Sequence, residues 1–243
     1  MKRAKKLMDI LIRPRLAIVL LHLGVTASVE HTKALHDLKS KTVVDIGANR
    51  GQFSLLAREL FPEARIIAFE PLPGPAATFQ RVFANDSRVR VHNIAIGPES
   101  THTTIHVSAR DDSSSLLPIT ETQSRIFPGT QETGTTAVEV RRLDEVLKPD
   151  EITAPALLKL DVQGYELEAL RGCEALLQNF AYVYAECSFM ELYKGQALAD
   201  EVIAWLRERG FALSGVYNMA YDKSGKAVQA DFLFQRRSAA CAS

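Results

Sequence analysis

Residues 41–71, KTVVDIGANRGQFSLLARELFPEARIIAFEP, decide how the rest of this chain is read. An apolar run from Thr42 reaches an acid, Asp45, passes Gly47 and Gly51, and opens into a segment with helical spacing. A second apolar run ends in another acid, Glu70. A glycine-containing turn between a strand and a helix lets a ligand approach the backbone closely and aims the helix N–H groups at it. A carboxylate at the end of the neighbouring strand is placed to accept both hydroxyls of a ribose. Asp45, Gly47, Asn49, Gly51 and Glu70 therefore form a candidate site for a nucleoside-containing cofactor.

The spacing narrows the choice. A dinucleotide turn requires G-x-G-x-x-G, which Gly47-Ala48-Asn49-Arg50-Gly51 does not fit, and no G-x-x-x-x-G-K-[ST] loop occurs for a nucleoside triphosphate. S-adenosylmethionine fits better: it has a ribose, no phosphate, a sulfonium and an ammonium, and acids at strand ends suit its cationic groups. Two later strand ends add to this. VRVHNIAIG (89–97) places Asn93 where its amide, both donor and acceptor, can meet an adenine edge. LLKLDVQGYELEALRG (157–172) ends a buried apolar run at Asp161, with Gly164 and Glu166 at a helix start. The helix dipole alone explains Glu166 as well as a functional role does, but explains Asp161 less well.

Outward from this stretch, short apolar runs alternate with helical segments. The pattern predicts strands over 42–46, 65–70, 89–94, 157–161, 181–186, 211–217 and 231–236. It predicts helices over 51–61, 74–84, 165–178 and 197–209. Such alternation implies βαβ units, an α/β fold and a mostly parallel sheet. The alternation breaks at 97–141. There THTTIHVSA has the period of an exposed hairpin strand, and the following polar, Ser/Thr/Gly/Pro-rich stretch reads as a loop. The segment is expected to be an insertion over the strand ends, where open α/β sheets bind ligands.

The blocks DIGANRGQFS, FEP, HNIAIG, SSSL and LLKLDVQGYELEALRG, in this order, resemble the signature blocks of the FkbM family of S-adenosylmethionine-dependent methyltransferases. The resemblance implies a Rossmann-like class I methyltransferase fold: a seven-stranded, mostly parallel sheet with its last strand antiparallel and helices on both faces. It implies O-methylation of a sugar or glycan hydroxyl or of a polyketide-type natural product, with a small-molecule or glycan acceptor as partner. Residues 1–40 lie outside the recognisable blocks and are set apart as an N-terminal helical segment from a methyltransferase domain over 41–243. Two rivals stand beside this reading. One is a NAD-type oxidoreductase on a doubly wound sheet, which the glycine spacing disfavours. The other is a catalytically silent cofactor-binding module, which fold alone does not exclude.

Methyl transfer to an alcohol requires alignment of the acceptor oxygen and removal of its proton. Asp161 is the first candidate for the acceptor side, and Glu186, ending the strand expected over 181–186 within YVYAECSF (182–189), is its expected neighbour. The two carboxylates could share a divalent cation, for which oxygen-only ligands suggest Mg²⁺. They could instead raise each other's pKa and make a general base, or Glu186 could simply bond backbone amides. Of the histidines, His102 and His106 share one face of the presumed hairpin, expected to be solvated, and His92 is expected to pack. Ser113–Leu116 can line the acceptor pocket or be plain loop residues. Tyr165 can close over the cofactor or sit in the core.

Composition bounds the partners. The chain has 243 residues with 29 basic and 29 acidic side chains, so no overall field favours nucleic acid or an anionic surface. Three cysteines, Cys173, Cys187 and Cys241, lack metal-ligand spacing, and their odd number argues against a disulfide framework and for a reducing, cytoplasmic setting. The first 25 residues begin basic and carry an apolar run, Leu16–Val25, in the outline of a signal peptide. Arg13, Pro14 and Arg15 interrupt that outline, and the run is short for a membrane span. A helix packed on the domain edge and a helix lying at a membrane surface, with Leu7, Leu11 and Ile12 toward the bilayer, both fit.

Overall fold

A computed structural model describes residues 2–237; Cys241 lies outside them. The chain opens with helices α1 (Lys2–Leu11), α2 (Pro14–Leu23) and α3 (Thr32–Leu35), then strand β1 (Thr42–Ile46). Next come α4 (Gln52–Leu60), β2 (Arg65–Phe69), α5 (Pro73–Val82), β3 (Val89–His92), β4 (Ala95–Ile96) and β5 (Thr101–Ser108). Helix α6 (Glu121–Ile126), β6 (Glu132–Arg141), α7 (Leu143–Val146), β7 (Ala156–Leu160), α8 (Glu166–Gly172) and β8 (Tyr182–Ser188) follow. The described chain closes with α9 (Ala199–Glu208), β9 (Phe211–Tyr221) and β10 (Ala227–Arg236). Pro14 and Pro73 each begin a helix, where the fixed proline φ suits the first turn and its missing N–H costs nothing.

Seven strands form one sheet in the order β3-β2-β1-β7-β8-β10-β9. The pairs from β3 to β8 are parallel, and β10 runs antiparallel to both its neighbours. This is the class I methyltransferase topology expected above. Every residue of β1 and of β7 is buried, as a central parallel strand covered on both faces must be. Alternation along β1 divides the core. Val44 and Ile46 pack with Leu167 and Leu170 of α8 and Val202 and Leu206 of α9, while Val43 faces Phe53 and Leu56 of α4. Phe79 of α5 joins a third cluster with Ile10 and Leu16 from the first two helices and Val25 just after them.

The structure refines several predicted boundaries. Strand β7 ends at Leu160, so Asp161 stands just past the sheet, at the start of the turn to α8. The helix expected over 165–178 is α8 followed by a separate 3-10 helix, Glu174–Asn179. The expected hairpin forms: β5 pairs antiparallel with β6, and β4 adds to β6 in a second, three-stranded sheet. The stretch between them, expected to be loop throughout, contains α6, whose first turn is capped by the Thr120 hydroxyl accepting the Gln123 N–H. Among the described residues no helix is long and apolar enough to cross a membrane.

Candidate active site

The turn after β1 is built by close approach. Gly47 has φ +76°, and a Cβ there would lie 1.9 Å from the backbone oxygen of Asp161, so only glycine lets the turns after β1 and β7 meet. Asn49 takes φ +45°, and its backbone N–H donates to Glu70 Oε2 at 2.8 Å. Glu70 Oε1 accepts the Leu72 N–H, also at 2.8 Å. One carboxylate thus joins the β1 turn to the end of β2 and is held rigid by two amides, with lone pairs left for a ligand. Burial pushes its pKa up to about 7, against the two amide hydrogen bonds, which pull it down.

Beside this turn lies a cavity of about 400 Å³. Gly47, Asn49 and Glu70 line one end, and Asp161, Gln163, Glu186, Gln229 and Asp231 line the other. Ser113–Leu116 fold over it from the 97–141 segment, and Ser28, Glu30 and His31 wall it from the chain before β1. Tyr165 also borders it.

Three expected cofactor residues are not on that wall. Asp45 is fully buried one layer behind it, where it accepts the Ser54 hydroxyl at 2.7 Å and pairs with Lys159 Nζ at 3.0 Å. Gly51 backs onto Phe83 and Phe79, where an added Cβ would lie 2.8 Å from the Phe83 ring; it shapes the turn from outside. Asn93 spends both amide N–H groups on the carbonyls of Glu70 and Pro71, each at 2.8 Å, and so braces the Glu70 turn without reaching the cavity. The causes differ: buried side chains claim Asp45, packing against aromatic rings sets Gly51, and for Asn93 neighbouring backbone carbonyls compete with a ligand for a short polar side chain.

The acceptor-side pair does converge, through a residue the sequence reading passed over. Gln163 sits at φ +55°, a costly conformation for a side chain of this kind. Its Nε2 donates to Asp161 Oδ1 at 2.7 Å and to Glu186 Oε2 at 3.1 Å, and its Oε1 accepts the Tyr193 hydroxyl at 2.7 Å. Glu186 Oε1 accepts Gln229 Nε2 at 2.7 Å. Burial, then the charges of Asp161 and Asp231, raise the Glu186 pKa well above the carboxylate range. The alternative in which the two carboxylates share Mg²⁺ does not fit this arrangement. An amide donor already stands between the two carboxylates, and among the described residues no three His, Cys, Asp or Glu side chains converge as ligands. Glu166 points away from the cavity; its Oε1 accepts the Val162 and Gly164 N–H groups and holds the turn that carries Asp161.

Lys159 was also missed. It is a lone cation in the fully buried strand ALLKL, and that isolation in an apolar run is the signal that marks it. Its ammonium donates to Gly47 O at 2.9 Å, pairs with Asp45, and lies 3.8 Å from Asp161 Oδ2. Burial lowers its pKa, but Asp45 and Asp161 outweigh burial and the net shift is upward. His31 has no signal in its local sequence. Its Nδ1 lies 3.1 Å from Asp231 Oδ2, and the ring packs edge-on against Phe53 and Tyr184. Asp231 also accepts from Asn218 Nδ2 at 2.7 Å; Asn218 has φ +49° at a β9–β10 register shift, where a bulge re-aims a side chain. The other histidines stand apart. His92 stacks on Phe69, His102 is exposed, and His106 pairs with Glu132 on the second sheet.

With this geometry in hand, similarity decides the family. The methyltransferase FkbM domain matches residues 45–213. The chain belongs to the FkbM methyltransferase family. Among curated relatives, the 2-O-methyltransferase NoeI of Sinorhizobium fredii is 29% identical over 160 residues, 63% of this chain and 66% of NoeI. The methyltransferase sdnD of Sordaria araneosa is 29% identical over 71% of this chain and 74% of its own length. The hexuronic acid methyltransferase AglP of Haloferax volcanii is 29% identical over 58% of this chain and 54% of its own. The chain thus spans just under two thirds of NoeI and about half of AglP. His31, Asn218, Gln229 and Asp231 all lie outside the FkbM match, so part of the cavity's polar wall is contributed by its flanks.

Proposed function

We propose that the protein is an S-adenosylmethionine-dependent O-methyltransferase whose acceptor is a hydroxyl of a sugar, a glycan or a polyketide-type natural product. One observation carries the proposal: the Glu70 carboxylate, fixed by the amides of Asn49 and Leu72, faces the same cavity as the Gln163-linked carboxylates of Asp161 and Glu186. Similarity to a 2-O-methyltransferase, NoeI, and to a hexuronic acid methyltransferase, AglP, supports the acceptor class.

Bound S-adenosylmethionine would supply a methyl group already activated by its sulfonium. The residues of this chain bind and orient. Glu70 accepts the hydroxyls of a ribose diol. Lys159 fixes the distance between the β1 and β7 turns through Gly47 O and the two aspartates. Gln163 holds Asp161 and Glu186 facing one volume. Glu186 is the proton acceptor in this reading, because its two oxygens accept amide N–H groups from Gln163 and Gln229, which favour its ionised form at the cavity wall, while burial strengthens its hold on a proton once taken up. Asp161 orients the acceptor by accepting a hydrogen bond. The wall favours this cofactor over a dinucleotide. Seven carboxyl groups, from Glu30, Glu70, Asp111, Asp112, Asp161, Glu186 and Asp231, border the cavity against the two cations Arg110 and Lys159, an acidic excess that disfavours a diphosphate.

Transfer of labelled methyl from S-adenosylmethionine to a panel of sugars, glycans and hydroxylated natural products tests the proposal. Glu186→Gln should bind S-adenosylmethionine with unchanged affinity and turn over about 100-fold more slowly or worse. Normal turnover would remove Glu186 as the base. Cofactor binding with no transfer to any acceptor class would favour the silent module.

A further inference from the structure

We infer that the α1–α2 hairpin is a docking surface for an anionic lipid bilayer. Seven of the eleven large apolar side chains exposed among the described residues belong to residues 7–23. On α1, Leu7 and Leu11 are 48% and 51% exposed, and Met8, two residues before the buried anchor Ile10 and on the opposite side of the helix from it, is 67% exposed; Ile12 just past the helix is 71% exposed. On α2, Ile18 and Leu21 are 57% and 76% exposed. The opposite sides of the same helices are anchored, with Ile10 and Leu16 essentially inaccessible in the cluster that also holds Val25 and Phe79. The hairpin is therefore fixed to the domain by one face and presents the other to its surroundings. A stripe of this kind, i and i+4 along α1, is more apolar surface than a folded domain ordinarily leaves uncovered.

Charge selects the occupant. Lys2, Arg3, Lys5, Lys6, Arg13 and Arg15 stand among the first 24 residues with a single acid, Asp9, leaving 23 basic and 28 acidic residues in the remainder. The chain is neutral overall but polarised, positive on the segment that exposes the apolar stripe. An apolar stripe flanked by Lys and Arg is the pattern of a helix that lies in the headgroup region of an anionic leaflet. Lys6 and Arg15 pair with Glu30 and Asp86, and the segment still carries an excess of positive charge by sequence, so pairing two copies through it is disfavoured relative to an anionic lipid. No described helix is long enough to span, so contact at the surface is the form available.

The hairpin is also coupled to the cavity. Lys6 of α1 pairs with Glu30 at 2.9 Å, and Glu30, Ser28 and His31 wall the cavity a few residues after α2 ends. A docked hairpin would hold that wall at the membrane surface, where an acceptor carried on a lipid is found.

Cosedimentation of the full chain with phosphatidylcholine vesicles, with and without phosphatidylglycerol, reads the docking directly and independently of methyl transfer. Wild type should sediment with the phosphatidylglycerol vesicles and be released by salt. Leu11→Glu with Ile12→Glu should weaken sedimentation about tenfold or more while binding S-adenosylmethionine as wild type does. Equal behaviour toward both vesicle types, no sedimentation with either, or wild-type sedimentation by the variant would overturn the proposal. So would a wild-type dimer in sizing experiments that the same variant converts to monomer, since the face would then be covered by a second copy.

Discussion

The two ends of the cavity are built by different means. The end at β1 and β2 is made of backbone: a glycine with positive φ, an Asn49 N–H and a Leu72 N–H clamped on one carboxylate, all within 26 residues of chain from 47 to 72. The end at β7, β8 and β10 is made of side chains from positions scattered between 31 and 231: His31, Gln163, Glu186, Asn218, Gln229 and Asp231. The first kind of site constrains which residues the turn tolerates. The second constrains little about its local sequence, because a polar side chain at a strand end is ordinary until its partners are known. A common cofactor needs the first kind, and a varied acceptor is served by the second.

The substitution expected to do most damage tests the backbone end. Gly47→Ala places a Cβ on the Asp161 carbonyl and forces a positive φ on a residue that disfavours it. The turns after β1 and β7 must separate, taking Lys159 from Gly47 O. A loss of about 4 kcal/mol or more is expected, read by urea denaturation, together with loss of S-adenosylmethionine binding by calorimetry. A stable variant that still binds would mean the two ends are not held together by this contact.

That contact also shows what was legible in the sequence. The fold was, because β1 and β7 are apolar runs each carrying a single charged residue, and the helices between them keep their spacing. The glycine turn and Glu70 were, because backbone geometry restricts them to few residue types. Asp45 was seen but misplaced: its position in TVVDI is the same whether it meets a ligand or a buried lysine, and only the pairing of β1 with β7, which sets Asp45 opposite Lys159, distinguishes the two. Asn93 failed for the same reason, since nothing in HNIAIG says that the carbonyls of Glu70 and Pro71 will claim its amide. Gln163 and His31 were invisible because their partners lie 23 and 200 residues away along the chain, at Glu186 and Asp231.

An intermediate effect is expected at Glu70. Its pKa is raised from 4.5 to about 7 in the folded protein, so between those values the folded chain keeps a proton that the unfolded chain has released. The contribution of Glu70 to stability is therefore full below pH 4.5 and lost as pH rises toward 7. Glu166, raised to about 7 in the same way, adds with the same sign. Ribose hydroxyls donating to the carboxylate favour its charged form, so cofactor affinity should run the other way and strengthen as pH rises through about 7. Glu70→Gln should cost about 2 kcal/mol of binding and flatten that dependence, as read by calorimetry across pH. A pH-dependent affinity that survives the substitution would place the linked group elsewhere in the cavity.

The smallest effect is expected at His31, and it decides where the two ends divide. Asp231 is the strongest acceptor near Nδ1, so the ring proton belongs on Nδ1, and Nε2 makes no hydrogen bond to any described residue. His31 lines the cavity, so that nitrogen is available to an acceptor hydroxyl. His31→Phe keeps a flat ring against Phe53 and Tyr184 while removing both nitrogens. Asp231 retains Asn218, which limits the cost in stability to about 1 kcal/mol. If His31 belongs to the acceptor end, KM for the acceptor should rise about fivefold with cofactor affinity unchanged. If cofactor affinity falls instead, the chain before β1 closes over the methionine moiety, and the backbone-built end extends further around the cavity than β1 and β2.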